Sequence, residues 1–254
     1  MTPSNYHTHT SFCDGDATPE ELVREAIRLG CPEIGFSGHC HTFFDESYCM
    51  SKEGTEDYIA AVKAVKEAYK DQIKVYLGIE MDYYGDVTDD RYDYRIGSVH
   101  YVKKDGCYLP VDNTKKEQIN DVEKFYGGDF YSFAEDYFAT VADVHRKTRC
   151  QILGHFDLVT KFNQDGDLFD TQHPRYRAAA DKALEALMDT PVILEVNMGA
   201  MARGYTTQPY PAPDVVRKWL SAGKPVIYSS DCHRLSQLLY QYDHYEAYIQ
   251  ACTK

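Results

Sequence analysis

The feature that most constrains the fold of this chain is a repeated pair: a short apolar run followed at once by a residue that can bind a metal ion. The runs are rich in β-branched residues and have the length of buried strands. One such strand is expected to end at His7 and His9. The other candidate strands cover residues 34–36, 75–79, 96–99, 152–153, 192–196 and 226–228.

Helical patterns lie between most of these runs. The clearest begins at Thr18-Pro19-Glu20-Glu21, where Thr18 is a candidate N-cap, Pro19 takes the first helical position and Glu21 completes a capping box, and Gly30 ends the helix. Further amphipathic segments cover residues 55–69, 132–147 and 174–188. Alternating strands and helices predict βα units and a mainly parallel sheet. Seven strands in 254 residues suit a single closed (β/α) barrel, one domain over residues 1–254.

In such a barrel the residues that follow the strand ends gather on one face, and that is where the metal-binding residue types occur. Neutral imidazoles and carboxylates are the ligands preferred by borderline divalent ions such as zinc, manganese and iron. A single buried histidine is more often a hydrogen-bonded core residue, but six motifs together indicate a multinuclear metal site. The motifs are His7-Thr8-His9, Gly38-His39, Gly78-Ile79-Glu80, Ser98-Val99-His100, Gly154-His155 and Ser230-Asp231-Cys232-His233.

Composition excludes several classes of partner. The chain has 27 basic and 40 acidic residues and a net charge of -13, which repels a nucleic-acid backbone. The start of the chain lacks a signal-peptide pattern and no apolar run is long enough to span a membrane, so we expect a cytoplasmic protein. The eight cysteines are scattered without a CxxC pair and are expected to be reduced thiols. Metal ligation by Cys40 or Cys232 is an alternative to the neighbouring imidazoles, and the sequence does not indicate an oligomeric state.

The motifs together resemble the PHP (polymerase and histidinol phosphatase) family, and the match runs from Tyr6 to His233. The length of the chain, the segment 44–50 and the segment from Gly204-Tyr205 to Pro209-Tyr210-Pro211 are similar to the histidinol-phosphatase branch. The resemblance implies a distorted (β/α)₇ barrel, like a TIM barrel, that holds two to three divalent metal ions at the carboxyl ends of its strands.

The resemblance also implies a ligand set. The first metal falls to His7, His9 and Asp231, and Glu80 bridges it to a second metal bound by His100 and His155. The third metal falls to three further residues, His39, His233 and Asp14. Many relatives have a histidine in the loop after His9 where this chain has Asp14 and Asp16, and we choose Asp14 because Gly15 would relieve crowding there.

The activity implied is hydrolysis of a phosphomonoester, L-histidinol phosphate, by a metal-bridging hydroxide. Three divalent ions held by three carboxylates and one hydroxide keep a net charge of about +2, which matches a phosphate monoester dianion. Glu80 and Asp231 are the expected catalytic carboxylates. A water on the third metal or His41 could protonate the leaving alkoxide, although His41 could equally be a wall residue.

Substrate contacts are expected from three residues. Lys161 and Arg203 follow barrel strands and could bind the phosphate, or could be surface charges. Tyr101, next to His100, could line a pocket for an imidazole or amine, or could be a packed rim residue. The other histidines, His145, His173 and His244, are expected to be solvated or packed.

Two other functions remain open. PHP domains also hydrolyse phosphodiesters, so a phosphatase or phosphodiesterase acting on small nucleotides is one alternative. A non-catalytic interaction module is the other.

Overall fold

The computed structural model describes residues 2–86 and 90–253, and its centre is a parallel sheet. Seven strands follow one another in the order β1-β2-β3-β4-β7-β8-β9, and each neighbouring pair is parallel. These strands are β1 (Ser4–Asn5), β2 (Glu33–Phe36), β3 (Lys74–Asp82), β4 (Tyr94–Ser98), β7 (Ile152–Leu153), β8 (Ile193–Asn197) and β9 (Val226–Ser229). All seven predicted strands are confirmed.

The sheet closes on itself just beyond the ends of its first and last strands. A parallel bridge joins Thr8 to Cys232. The backbone amide of His9 donates to the carbonyl of Cys232 over 2.8 Å, and the amide of Cys232 donates to the carbonyl of His7 over 3.0 Å. The architecture is therefore a nearly closed barrel of seven parallel strands surrounded by helices, as predicted.

Eight α-helices accompany the strands in the described part of the chain. They are α1 (Pro19–Arg28), α2 (Lys52–Ala68), α3 (Lys115–Tyr126), α4 (Phe130–Thr148), α5 (Pro174–Met188), α6 (Gly199–Ala202), α7 (Pro213–Ser221) and α8 (Tyr242–Cys252). Helix α1 has the predicted capping box, since Thr18 and Glu21 each accept a hydrogen bond from the other's backbone amide. Helix α2 begins three residues before the predicted start because Ser51 caps it by accepting from the amide of Gly54.

Helices α3, α6, α7 and α8 were not predicted, and neither was an antiparallel hairpin of β5 (Tyr101–Lys104) and β6 (Cys107–Pro110) inserted between β4 and β7. Its turn is Asp105-Gly106, with φ values of 49° and 83°. This is the dipeptide that tight hairpin turns favour, so the signal was present in the sequence.

Apolar packing lies between the barrel and its helices. One group of buried side chains joins β2 and β3 to α1 and α2, and a larger one surrounds α4 and α5. Among the described helices, none is long and apolar enough to cross a membrane. The polar residues at the carboxyl ends of the strands face away from these groups, and they form the site.

Candidate metal centre

A cavity of about 280 Å³ opens at the carboxyl ends of the strands, and most of the predicted site residues line it. The ones in its wall are Asp14, His39, Glu80, His100, Tyr101, His155, Lys161, Arg203, Asp231 and His233. His7 and His9 lie beneath it and are about 1% exposed. Sequence positions more than 200 residues apart thus converge on one place, as expected for a barrel.

Glu80 is at the centre of the cluster. It is 1% exposed and lies on β3, which continues two residues beyond it. Its Oε1 accepts a hydrogen bond from the Ser98 hydroxyl over 2.6 Å and lies 3.0 Å from His155 Nε2 and 3.4 Å from His100 Nε2. Its Oε2 lies 2.9 Å from His39 Nδ1 and 3.3 Å from His7 Nε2. One carboxylate therefore faces histidines from all sides, the position expected of a bridging ligand.

The deepest part of the cluster contains His7, His9 and Asp231. Asp231 Oδ1 lies 3.2 Å from His9 Nε2 and 3.6 Å from His7 Nε2. The two Nε2 atoms and Glu80 Oε2 are buried, and although polar atoms lie close to them, none makes a hydrogen bond of acceptable geometry in the described structure. Because buried polar atoms are normally satisfied, these convergent ones fit the coordination of a divalent ion.

A second part of the cluster contains Asp14, His39 and His233. Asp14 Oδ2 lies 3.2 Å from His233 Nε2, and its Oδ1 lies 3.6 Å from His39 Nε2. Asp16 instead accepts a hydrogen bond from the amide of Leu235, which favours Asp14 as the ligand. A Cβ atom on Gly15 would lie 2.6 Å from backbone atoms of His9 and Thr10, so only glycine lets this loop pass so close.

Potential ligand atoms lie within 4.8 Å of one another in three groups: His9/Asp14/His39/His233, His7/His9/Glu80 and His39/Glu80/His100. The groups share Glu80, His9 and His39, so they form one multinuclear cluster. They differ from the expected sets in three ways: Asp231 is absent from the group of His7 and His9, His39 takes the place of His155 beside Glu80 and His100, and His9 joins the third set. His155 nevertheless lies 3.0 Å from Glu80, on the same side as His100.

Two carboxylates that support the cluster were missed in the sequence. Glu195 on β8 is fully buried, and its Oε1 lies 2.5 Å from His7 Nδ1 while its Oε2 accepts from the backbone amide of His155. Asp82 Oδ2 lies 3.2 Å from His100 Nδ1 and accepts from the amide of that residue. Such partners fix the tautomer and orientation of a ligating histidine. The sequence does contain a signal for both Glu195 and Asp82, because each is an acidic residue within an apolar run.

The backbone at Asp231 is in the left-handed region, with φ of 47°. Aspartate tolerates this conformation, at some cost, where the surrounding structure holds it. The close approach of Gly199 is part of that surrounding, because a Cβ there would lie 2.6 Å from Asp231 Cβ and 2.7 Å from its Oδ2. The geometry turns the carboxylate back into the barrel.

Charge within the cluster is tightly coupled. Burial opposes ionisation of Glu80, but His7, His39 and His100 outweigh it and hold the pKa of its carboxyl well below the usual range. Asp231 is likewise buried, and Arg203 and His7 hold the pKa of its carboxyl well below the usual range. Burial, together with His233 and His39, lowers the pKa of His9 to about 3. These directions favour anionic carboxylates and a neutral His9, the states that metal ligands require. Although burial opposes it, the neighbouring carboxylates raise the pKa of His7, His39 and His100, so a metal ion bound by these rings would displace a proton.

The two predicted phosphate ligands lie in the cavity wall. Lys161 Nζ donates to the backbone carbonyl of Asp112 over 2.6 Å and lies 3.2 Å from its carboxylate. Arg203 Nη2 lies 3.1 Å from Asp231 Oδ2, and Nη1 lies 2.9 Å from His233 Nδ1. They are not free surface charges, and Arg203 is tied to two of the proposed metal ligands.

Tyr101 also lines the cavity, and its hydroxyl donates to Asp45 Oδ2 over 2.8 Å. His41 does not line the cavity. Its Nδ1 lies 3.0 Å from Asp86 and its Nε2 lies 3.0 Å from Glu46, on the outer side of the barrel. This position does not favour His41 as the proton donor, because both ring nitrogens face carboxylates outside the site.

The thiols next to the ligand motifs are turned away from the cluster. Cys40 Sγ accepts from the amide of Asp82, and Cys232 Sγ donates to the carbonyl of Arg234. Burial raises the pKa of Cys40 and raises that of Cys232 to about 12. Neither belongs to a described group of potential ligands, which favours the imidazoles over thiolate ligation.

The histidines outside the cluster have local roles. His145 Nδ1 lies 3.0 Å from the carbonyl of Cys150, His173 accepts from the amide of Arg175 at the start of α5, and His244 is exposed.

Known proteins are similar over nearly the whole chain. The probable histidinol-phosphatase of Deinococcus radiodurans is 28% identical over 248 residues, covering 93% of this chain and 88% of that protein. The histidinol-phosphatase of Bacillus subtilis is 26% identical over 277 residues, covering 99% of this chain and 100% of that protein.

Two solved structures share the fold at 20% identity. The putative histidinol phosphatase from Listeria monocytogenes has a TM-score of 0.82 and covers 96% of this chain and 100% of its own. The histidinol phosphate phosphatase from Lactococcus lactis subsp. lactis, solved with zinc, L-histidinol and phosphate, has a TM-score of 0.72 and covers 98% of this chain and 93% of its own. The PHP domain family matches residues 5–199, more than half of the chain. The chain therefore belongs to the PHP domain family.

Proposed function

We propose that this protein is a metal-dependent phosphomonoesterase that hydrolyses L-histidinol phosphate to L-histidinol and phosphate, a step of histidine biosynthesis. The observation that carries the proposal is the convergence of three overlapping groups of potential metal ligands on a cavity that also contains Lys161 and Arg203. The names of the relatives, which cover almost the whole chain, supply the substrate.

The proposed ligands are those of the family resemblance. His7, His9 and Asp231 would hold one ion, His100 and His155 a second, and Glu80 would bridge the two. Asp14, His39 and His233 would hold a third. Bound divalent ions lower the pKa of water enough to provide hydroxide at neutral pH and neutralise charge on the phosphate oxygens.

The residues of the chain orient and hold the parts of this site. Glu195 holds the His7 ring in place, and Asp82 does the same for His100. Lys161 and Arg203 would donate charge-assisted hydrogen bonds to the phosphate oxygens. These hydrogen bonds strengthen in the transition state as the negative charge on the reacting group is redistributed. Because His41 lies outside the cavity, we propose that the leaving alkoxide takes its proton from solvent at the cluster.

The test is a panel of phosphate-release assays on the protein reconstituted with zinc, manganese or iron. The panel contains L-histidinol phosphate, other phosphomonoesters, mononucleotides and dinucleotides. We expect the highest kcat/KM for L-histidinol phosphate, two to three ions per chain by elemental analysis, and complete loss of activity with a chelator.

Other outcomes would decide between the alternatives. A preference for nucleotides would identify a nucleotide as the substrate in place of L-histidinol phosphate, while the proposed metal-dependent hydrolysis would stand. Full activity in metal-free protein would contradict the proposal, and metal-loaded protein without activity on any ester would favour an interaction module.

A further inference from the structure

One carboxylate in the cavity wall has no cationic counterpart. Among the cavity-lining residues that the structure describes, four carboxylates lie within 4 Å of a histidine, lysine or arginine nitrogen: Asp14, Glu80, Asp112 and Asp231. The fifth, Asp45, accepts hydrogen bonds from neutral groups alone. A half-buried anion without a cation inside a binding cavity is a potential site for a cationic part of a ligand.

Asp45 is held in a fixed orientation. Its Oδ1 accepts from the amide and the hydroxyl of Ser47, over 3.1 and 2.6 Å, and its Oδ2 accepts from the Tyr101 hydroxyl over 2.8 Å. Burial opposes ionisation, but the hydrogen bonds from Ser47 and Tyr101 hold the pKa of Asp45 below its usual value. A carboxylate has about four acceptor positions. Three are used here, so Oδ2 can accept one more hydrogen bond.

Asp45 is placed to contact the end of a substrate that lies opposite its phosphate group, when that phosphate lies at the metal cluster. The Tyr48 ring is near both, since its centroid lies 4.8 Å from that of His39 in the cluster and 6.3 Å from that of Tyr101, the residue that donates to Asp45. Lys161 and Arg203 belong to the loops after β7 and β8, whereas Asp45 belongs to the loop after β2. The cavity therefore has cations for a phosphate in one part of its wall and an unpaired anion in another.

We infer that Asp45 binds a cationic nitrogen of the alcohol portion of the substrate and so makes the site selective for phosphate esters of amino alcohols. The inference rests on the proposed function, because it assumes that a phosphate group lies at the metal cluster. L-Histidinol phosphate offers two groups with such a nitrogen, the ammonium group and the protonated imidazole ring. Tyr101 acts as a positioning residue, since its hydroxyl fixes Asp45.

The kinetic test compares Asp45→Asn with Glu46→Gln on three substrates. Glu46 is the adjacent carboxylate, is 66% exposed and pairs with His41 outside the cavity, so its variant controls for the loss of one negative charge. The substrates are L-histidinol phosphate, phosphoethanolamine, which has the ammonium but no imidazole, and glycerol phosphate, which has neither.

For Asp45→Asn we expect kcat/KM for L-histidinol phosphate to fall about tenfold or more, mainly through KM, as for the loss of one charge-assisted hydrogen bond. Activity on glycerol phosphate stays within about twofold, and Glu46→Gln matches the wild type on all three. An equal loss on phosphoethanolamine identifies the ammonium as the bound group, and a loss confined to L-histidinol phosphate identifies the imidazole.

Equal losses on all three substrates, or no loss on L-histidinol phosphate, would overturn the inference. A calorimetric titration with L-histidinol in the presence of inorganic phosphate separates this failure from failure of the proposed function. If the wild type hydrolyses no phosphomonoester, the proposed function fails, and tighter binding of L-histidinol by wild type than by Asp45→Asn still supports the cation site. Equal binding by the two proteins would overturn it.

Discussion

The floor and the outer wall of the cavity are built on different principles. The floor consists of residues at or just beyond the carboxyl ends of the parallel strands, such as His7, His9 and Glu80, and each of these is about 1% exposed and lies close to other members of the cluster. The outer wall is formed by Asp45, Ser47 and Tyr48 and by the two ends of the β5–β6 hairpin. In loop 40–50 and this hairpin aromatic rings pack on one another, and Phe43 is 57% exposed. We therefore propose that the floor determines the reaction and that the wall determines which alcohol is accepted.

The largest effect is expected from Glu80→Gln, a change confined to the floor. The variant keeps the shape of the side chain but removes the charge that faces five histidines. We expect loss of at least one ion per chain and a decrease in kcat of about a thousandfold or more. Elemental analysis and kcat measure these two quantities. Normal metal content with normal kcat would remove Glu80 from the centre of the site.

The second prediction distinguishes Asp14 from Asp16, two aspartates of the same loop. Asp14→Ala should empty the third metal position and lower kcat on the order of a hundredfold, because His39 and His233 lose the carboxylate between them. Asp16→Ala should keep metal content and kcat and lose a little stability, since among the described hydrogen bonds the Asp16 carboxylate accepts only from the backbone amide of Leu235. The reverse result would show that Asp16 is the ligand.

The fold and the floor could be predicted from the sequence because both depend on regular spacing. Buried parallel strands are continuous apolar runs, and the residue after each run must lie at the same end of the barrel. The wall could not be predicted in this way. Asp45 lies in a loop, and its partner Tyr101 begins a hairpin that the strand–helix alternation did not indicate. Contacts between irregular segments depend on tertiary packing, which has no sequence period.

A third prediction concerns the two cations between floor and wall. Lys161→Ala should lower kcat/KM for L-histidinol phosphate roughly ten- to a hundredfold and weaken inhibition by inorganic phosphate, with metal content unchanged. Arg203→Ala should cause a similar or larger loss and also lower metal content, because Arg203 contacts Asp231 and His233. Wild-type kinetics in both variants would mean that the metals alone hold the phosphate.

A smaller effect is expected from Glu195→Gln, the buried support that the sequence reading missed. The variant weakens the contact that orients His7, so metal affinity should fall by about tenfold. Asp157→Asn is the matched control: Asp157 is equally buried, but it accepts from the amide of Ala212 and contacts none of the proposed ligands in the described structure. Burial raises the pKa of Asp157 to about 7, so equal metal loss in both variants would indicate a general effect of changing a buried carboxyl group.

The smallest effect tests the wall alone. Phe44 stacks on Tyr108 with ring centroids 3.7 Å apart and meets the edge of Tyr101 at 4.8 Å, so it joins the loop to the hairpin next to Asp45. An aromatic pair contributes about 0.5 to 1.5 kcal/mol, and Phe44→Ala should therefore raise KM for L-histidinol phosphate about two- to tenfold while kcat and metal content stay the same. Phe43→Ala is the control, since that ring is mostly exposed, and KM should change by less than about twofold. Steady-state kinetics on both variants measure the difference. If Phe44→Ala instead lowers kcat and releases metal, the wall supports the floor and the two regions do not act separately.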